Sequence, residues 1–159
     1  MKKIRVFTDG ACSENPGPGG WAAVFCLSDK NIVISGGQKN TTNNRMELLA
    51  VIKAIEKVIS KRKRRANLIV EIHSDSAYVV NAIEKDWVLK WQKCKWKTTA
   101  KKDVKNRDLW EKLLELMNKE SKMKIRFIKV KGHSGNMFNE MADRAAVKEV
   151  DKIKKAINK

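Results

Sequence analysis

Residues 68–75 have the sequence LIVEIHSD, a nearly unbroken apolar strand that stops at an acidic residue. A run of this kind predicts an interior strand of a parallel sheet, because such strands are buried on both faces. A helix predicted at about residues 76–85 follows directly, and Ser74 or Asp75 can cap it. This strand–helix junction predicts an α/β domain whose functional side chains gather at strand ends.

A long amphipathic helix precedes this strand, from the N-cap run TTNN (41–44) to about Lys61. Glu47 lies near the edge of its apolar stripe, so we expect this side chain to be partly buried. The basic run KRKRR (61–65) ends the helix and either complements the helix dipole or contacts nucleic acid. The stripe has helical spacing and consists of Leu48, Val51, Ile52, Ile55, Val58 and Ile59.

The rest of the chain completes a mixed sheet. Short connections make the early strands antiparallel hairpins, whereas helical crossovers permit parallel pairing of the later strands. We therefore predict one α/β domain over residues 1–159, with a five-stranded mixed sheet flanked by helices and a lysine-rich tail (150–159) that extends the last helix. The remaining predicted elements are strands at 3–9, 21–28, 31–38 and 124–130, a loop at 14–20, and helices at 105–119 and 139–157.

The charge balance is strongly basic. A net charge of +17, from 35 Lys and Arg against 18 Asp and Glu, favours a phosphate-bearing partner or an acidic membrane surface over a neutral small molecule. The same charge could serve solubility alone. Three cysteines without CxxC spacing, no signal-like N-terminus and no apolar run of about 18–20 residues predict a reduced, cytoplasmic protein that does not enter membranes.

Four carboxylates lie at the edges of predicted elements: Asp9, Glu47, Asp75 and Asp143. If they converge, their repulsion favours a divalent cation. Oxygen ligands without a cysteine or histidine cluster indicate Mg²⁺ or Mn²⁺ rather than Zn²⁺. Two such ions roughly 4 Å apart are a known arrangement for phosphodiester cleavage.

Taken singly, each carboxylate also has an ordinary structural interpretation. Asp75 can be only a helix cap, Glu47 can pair with Arg45, and Asp143 can pair with Lys148. The sequence alone leaves these alternatives open.

Four motifs resemble type 1 ribonuclease H, in that family's order and spacing, between about residues 3 and 147. The family cleaves the RNA strand of RNA–DNA hybrids and leaves 3′-hydroxyl and 5′-phosphate ends. The resemblance implies a ribonuclease H-like fold and an endoribonuclease without a separate N-terminal hybrid-binding domain, since the first motif begins at residue 8. The motifs are TDG (8–10) with NPGPGGW (15–21), TTNNRMEL (41–48), SDSAYV (74–79), and VKGHSG (130–135) with NE (139–140) and AD (142–143).

The resemblance also implies the catalytic residues. Asp9, Glu47, Asp75 and Asp143 would hold two Mg²⁺ ions when substrate is bound, with Mn²⁺ as a possible substitute. His133, on a glycine-flanked loop, would assist proton movement or product release. Glu140 matches a family position near the metal site, without a defined role.

The segment DWVLKWQKCKWKTTAKK (86–102) corresponds to the family's basic protrusion. Tyr78 and Trp91 would line a channel for the DNA strand in which a 2′-hydroxyl would clash, while Trp87 and Trp96 would pack the protrusion onto the domain. Contacts to 2′-hydroxyls are how such a protein distinguishes RNA from DNA. The implied substrate-binding residues are Asn15, Thr42, Asn43, Asn44, Tyr78, Trp91, Lys93, Lys95 and Lys97.

Two departures from the family pattern affect substrate contacts. Ala77 replaces a glutamine of many bacterial members, and Cys94-Lys95 stands where glycine is common. Neither is a metal ligand, so we expect only affinity and sequence preference to change.

Two other functions remain alternatives to a monomeric enzyme acting on RNA–DNA hybrids. A recombinase, resolvase or integrase can use the same carboxylate scaffold, although Asn15 and the tryptophan-rich segment favour a hybrid. A purely binding module would require loss of a metal ligand, and all four are present.

Overall fold

The computed structural model describes residues 2–63, 66–132 and 135–158. The order of elements matches the predicted one, with a short additional helix, α3, inside the protrusion. The elements are β1 (Lys2–Cys12), β2 (Gly17–Cys26), β3 (Asn31–Thr41), α1 (Asn43–Lys61), β4 (Leu68–Ser74), α2 (Ala77–Glu84), α3 (Trp87–Lys93), α4 (Arg107–Lys119), β5 (Met123–Lys129) and α5 (Met137–Ile157).

The five strands form one mixed sheet in the order β3-β2-β1-β4-β5. β1 pairs antiparallel with β2, and β2 with β3, whereas β1–β4 and β4–β5 are parallel. The predicted mixed sheet is therefore confirmed; β4 is an interior strand, and β1 is the central one. Parallel pairing sets Thr8 opposite Ser74, so the residues that follow them, Asp9 and Asp75, come to the same edge of the sheet.

Helices cover both faces of the sheet, and consecutive side chains of β1 enter different cores. Val6 belongs to the larger cluster, which contains the apolar stripe of α1. Phe7 belongs to a smaller cluster with Val24 and Ala142 of α5. The strand that carries Asp9 is thus buried from both sides, which fixes the backbone at the site.

Two predicted boundaries near the first motif are wrong. β1 continues to Cys12, so Asp9 does not end the strand, and Gly17–Gly20 belongs to β2 rather than to a loop. The glycines here permit close packing: a Cβ on Gly20 would lie 2.3 Å from the backbone oxygen of Ala146 in α5. Sequence-based turn rules treat a glycine-rich run as a loop and miss this use.

The N-terminus of α2 also differs from the prediction. Ser76 is its N-cap, and its hydroxyl accepts a hydrogen bond from the Val79 N–H at 3.2 Å. The Ser74 hydroxyl accepts from the Ser76 N–H at 3.1 Å. Because serines serve this turn, Asp75 is not needed as its cap.

None of the helices in the described part of the chain combines the length and apolar character that a bilayer-spanning segment requires.

Candidate active site

The site is built on Asp9, which is 4% exposed on the central strand. The Gly10 N–H donates to Asp9 Oδ1 at 2.9 Å and so orients the carboxylate. A Cβ on Gly10 would lie 2.4 Å from the backbone nitrogen of Glu47. Only glycine lets α1 approach this closely, and the approach carries Glu47 to Asp9.

Three of the predicted ligands converge. One oxygen from each of Asp9, Glu47 and Asp75 lies within 4.8 Å of the others. Glu47 is also 4% exposed, and its Oε2 is buried without a hydrogen-bond partner among the described residues. An unpartnered buried carboxylate oxygen is costly, so its position indicates that something cationic meets it.

The electrostatics of the cluster point the same way. Burial, followed by the nearby charge of Asp75, raises the pKa of Asp9 to about 7. Burial, followed by the charge of Asp9, raises the pKa of Glu47 well above its usual value. The cluster therefore resists full ionisation until a cation neutralises it. An all-oxygen donor set fits a hard divalent cation such as Mg²⁺ or Mn²⁺.

Asp143 comes from α5 to the same cleft, which has a volume of about 430 Å³. It contributes to the raised pKa of Asp9, so its carboxyl lies close to that group. It is not among the three carboxylates that meet within 4.8 Å. Glu140 also lines the cleft.

Asn139 lines the cleft as well, although no role is predicted for it from the sequence. It is 3% exposed, and its Oδ1 has no partner among the described residues. The signals for it are its place in the fourth motif and its position one helical turn before Asp143, because residues four apart share a helix face.

The predicted substrate residues divide into two groups. Asn43, Asn44 and Tyr78 line the cleft with the carboxylates. Asn15 Oδ1 instead accepts the Asn43 N–H at 3.1 Å, and Thr42 is the N-cap of α1, with its hydroxyl accepting the Arg45 N–H at 3.3 Å. Both side chains brace the start of α1.

The aromatic residues of the protrusion pack differently from one another. Trp91 is half-buried, with its ring edge-on to Trp110 at 5.8 Å, and Trp96 is buried as predicted. The packing prediction for Trp87 is wrong, since it is 37% exposed. α3 turns the neighbouring Val88 into the core instead, and adjacent helix positions face different directions.

The predicted cationic contacts Lys93, Lys95 and Lys97 are all exposed. Lys97 forms an ion pair with Asp103, so a substrate phosphate would compete with that carboxylate. His133 lies outside the described residues.

The ordinary ion-pair interpretation of Glu47 does not hold. Arg45 binds Asp108 through two hydrogen bonds of 2.9 and 2.8 Å, and Glu47 faces the other carboxylates. Trp110, which is fully buried beside Tyr78, is a further residue near the site that the sequence did not single out.

Comparisons with known proteins agree with this geometry. Residues 1–151 match the family model for RNase H. A ribonuclease H of Caldicellulosiruptor saccharolyticus is 46% identical over 153 residues, which is 94% of this chain and 99% of the relative. A ribonuclease H of Acetivibrio thermocellus is 46% identical over 155 residues, which is 98% of this chain and 99% of the relative.

Solved structures share the fold. LC9-RNase H1, a type 1 RNase H with the type 2 active-site motif, gives a TM-score of 0.77 at 27% identity over 96% of this chain and 74% of the other. LC11-RNase H1, solved in complex with an RNA/DNA hybrid, gives 0.74 at 22% identity over 94% and 97%, which supports the fold alone. The family model and the curated relatives, each spanning most of the chain, place this protein in the RNase H family.

Proposed function

We propose that this RNase H-family protein is an endoribonuclease that hydrolyses the RNA strand of RNA–DNA hybrids with two divalent cations. The observation that carries the proposal is the convergence of Asp9, Glu47 and Asp75 within 4.8 Å in a cleft of a chain with a net charge of +17. The basic surface attracts a polyanion, and the acidic cluster holds the cations that cleave it.

The proposed ligands are Asp9, Glu47, Asp75 and Asp143. When bound, a pair of Mg²⁺ ions supplies an activated water nucleophile and stabilises the leaving oxygen. The chain holds the ligands in place: Gly10 orients Asp9, and its small size lets Glu47 approach. Asp143 enters from α5 on the opposite face of the sheet and closes the ligand set.

We further propose that Tyr78 and Trp91 contact the DNA strand and that Lys93, Lys95 and Lys97 bind its phosphates. The three lysines are exposed on the protrusion, and Tyr78 lines the cleft beside the carboxylates. Asn43 and Asn44 lie where they can contact the RNA strand, whose 2′-hydroxyls both donate and accept hydrogen bonds. Asn15 and Thr42 contribute by fixing the start of α1, and His133 is proposed to assist proton movement or product release.

Digestion of an end-labelled RNA–DNA hybrid tests the activity. We expect cleavage of the RNA strand with 3′-hydroxyl and 5′-phosphate ends in Mg²⁺ or Mn²⁺, and none in EDTA. Duplex DNA and duplex RNA are the matched substrates, and equal cleavage of duplex DNA would favour a recombinase or integrase instead. An absence of hybrid cleavage in either metal would overturn the proposal.

The ligand assignment has its own test. Asp9→Asn should abolish cleavage and retain hybrid binding, whereas Asp151→Asn, which removes an exposed acid on α5, should leave both cleavage and binding unchanged. Cleavage by the Asp9 variant at the native rate would show that the metal ligands are misassigned. Hybrid binding should weaken as salt rises, because lysines displace counterions from phosphates.

The proposal includes a single catalytic domain that acts as a monomer in the cytoplasm. Sedimentation of the free protein and of its hybrid complex tests the monomeric state, and a stable dimer in both would contradict it.

A further inference from the structure

A chain of hydrogen bonds joins α1, α4 and α2 and reaches the cleft at Tyr78. It begins at the ion pair between Arg45 and Asp108, with distances of 2.9 and 2.8 Å. Arg45 Nη1 also donates to Asn106 Oδ1 at 3.4 Å, and Asn106 Nδ2 donates to the hydroxyl oxygen of Tyr78 at 3.1 Å. Trp110 Nε1 donates to the same Tyr78 oxygen at 3.0 Å.

The donor and acceptor groups of these side chains allow only one direction of donation along this series of hydrogen bonds. A guanidinium only donates, so the Asn106 carbonyl oxygen must face Arg45 and its NH₂ group must face Tyr78. An indole N–H also only donates, so Tyr78 receives a second hydrogen bond from Trp110. Its oxygen therefore accepts twice, and its own hydroxyl proton remains available for a different partner.

The conformation of Asn106 also indicates that its side chain serves the hydrogen bonds between Arg45 and Tyr78 rather than the helix. Asn106 is the N-cap of α4, yet its side chain makes no capping hydrogen bond, and its φ of 63° is left-handed. An N-cap asparagine ordinarily accepts a backbone N–H with its side-chain oxygen, which stabilises the start of the helix. Here that oxygen faces Arg45 instead, at the expense of the cap.

Contacts at both ends of this series of hydrogen bonds hold Arg45 and Tyr78 in position. Hydrogen bonding from Arg45 holds the pKa of Asp108 below its usual value, so the carboxylate stays charged and keeps the guanidinium in place. Trp110 is fully buried and lies edge-on to the Tyr78 ring at 5.5 Å, which fixes the orientation of the ring. Tyr78 in turn lines the cleft that contains Asp9, Glu47 and Asp75.

We propose that Arg45, through Asn106, sets the direction of this hydrogen-bond chain so that the Tyr78 hydroxyl donates its proton to an acceptor oxygen of the bound nucleic acid. Arg45 and Asn106 are positioning residues in this scheme, and Tyr78 touches the substrate. The inference rests on the proposed function, since it takes the ligand of the cleft to be a nucleic acid.

Asn106→Asp is the sharpest test because it reverses the last bond without changing the size of the side chain. The new carboxylate has no NH₂ group, so Tyr78 must donate to it and loses its free proton. We expect KM for the hybrid to rise about 5- to 30-fold with kcat nearly unchanged, the effect of losing one hydrogen bond to a charged or sugar oxygen. Hybrid affinity measured in EDTA should fall by a similar factor.

Tyr78→Phe removes the hydroxyl and should reproduce this increase in KM. In the Tyr78→Phe background, Asn106→Asp should have no further effect, because both changes remove the same donor. If the new charge simply repelled substrate, its effect would persist in that background, and the proposal would be wrong.

Arg45 variants test the origin of the direction. Arg45→Lys retains a group that only donates and should keep KM near the native value, whereas Arg45→Gln can also accept and should raise KM. An effect of Arg45→Gln that adds fully to that of Tyr78→Phe would mean that Arg45 contacts substrate directly. Lys112→Gln, an equal loss of charge on the far part of α4, should leave KM unchanged.

The outcomes separate this inference from the proposed function. Failure of the native protein to cleave any hybrid overturns the function. Cleavage by the native protein, with native KM in both folded Asn106→Asp and Tyr78→Phe variants, overturns only the role of the hydrogen-bond chain.

Discussion

Replacing Asp9 by Asn should stabilise the metal-free protein near neutral pH while it removes activity. The carboxyl is 4% exposed, and burial with the nearby charge of Asp75 raises its pKa to about 7. Asparagine keeps the oxygen that accepts the Gly10 N–H at 2.9 Å, and it carries no charge. The substitution therefore removes a repulsion and conserves the local hydrogen bond.

The size of the expected stabilisation, and its dependence on pH, follow from the raised pKa of Asp9. A carboxyl whose folded pKa is raised contributes stability that is complete below its unfolded value of 3.8 and is lost as the pH rises through about 7. Near pH 8 the stability lost corresponds to a pKa difference of about 3 units, at about 1.4 kcal/mol for each unit, or about 4 kcal/mol in total. Near pH 5 only about 2 kcal/mol is lost, so the benefit of the substitution should roughly halve.

Urea denaturation in EDTA, at about pH 8 and about pH 5, measures this difference. Mg²⁺ at the higher pH should stabilise the native protein more than the Asp9→Asn variant, and so reduce the difference in stability between them. Asp151→Asn is the control for loss of an exposed acid. The reasoning is refuted if the Asp9 variant is no more stable than the native protein at the higher pH, or if the gap is equal at both.

Three further substitutions probe the framework, each measured by urea denaturation. Gly10→Ala should cost about 3 kcal/mol and weaken Mg²⁺ binding, because its Cβ would meet the backbone of Glu47 at 2.4 Å; near-native stability would contradict this. Lys95→Gly should stabilise by up to about 1 kcal/mol, since φ at Lys95 is 56°, and a loss of stability would show that the lysine side chain contributes more than the strain costs. Glu120→Ala should destabilise by about 2 kcal/mol, because it leaves Arg62, whose side chain is 4% exposed, without its partner at 2.8 Å; an effect below about 0.5 kcal/mol would place this pair with ordinary surface pairs.

The elements with strong periodicity were predictable almost to the residue. The strand at 68–74 was predicted with the bounds that the structure has, and the long helix was predicted to within a residue or two. Both depend on local signals. The strand is signalled by an apolar run of strand length, and the helix by an apolar stripe that follows a capping threonine. The partial burial expected of Glu47 from that stripe is confirmed, and the side chain is more deeply buried than expected.

The features that escaped prediction depend on contacts between distant segments. Nothing near Gly20 signals that a helix more than a hundred residues later packs on it, so the glycine-rich sequence predicts a loop. The direction of Trp87 depends on which side of α3 meets the core. Asn106 and Trp110 are near the site only because both donate hydrogen bonds to Tyr78. No motif in the sequence links them to Tyr78, which is about 30 residues earlier in the chain.

The carboxylates of the site belong to elements far apart in the chain: β1, α1, the end of β4, and α5. Their mutual repulsion therefore develops only when β1, β4 and α1 have packed together, and it is complete when α5 brings Asp143 to the cleft. A cation that relieves this repulsion acts on the finished structure and has little to bind before it. In kinetic terms, a divalent ion should prolong the lifetime of the native state by slowing unfolding and leave the rate of folding nearly unchanged.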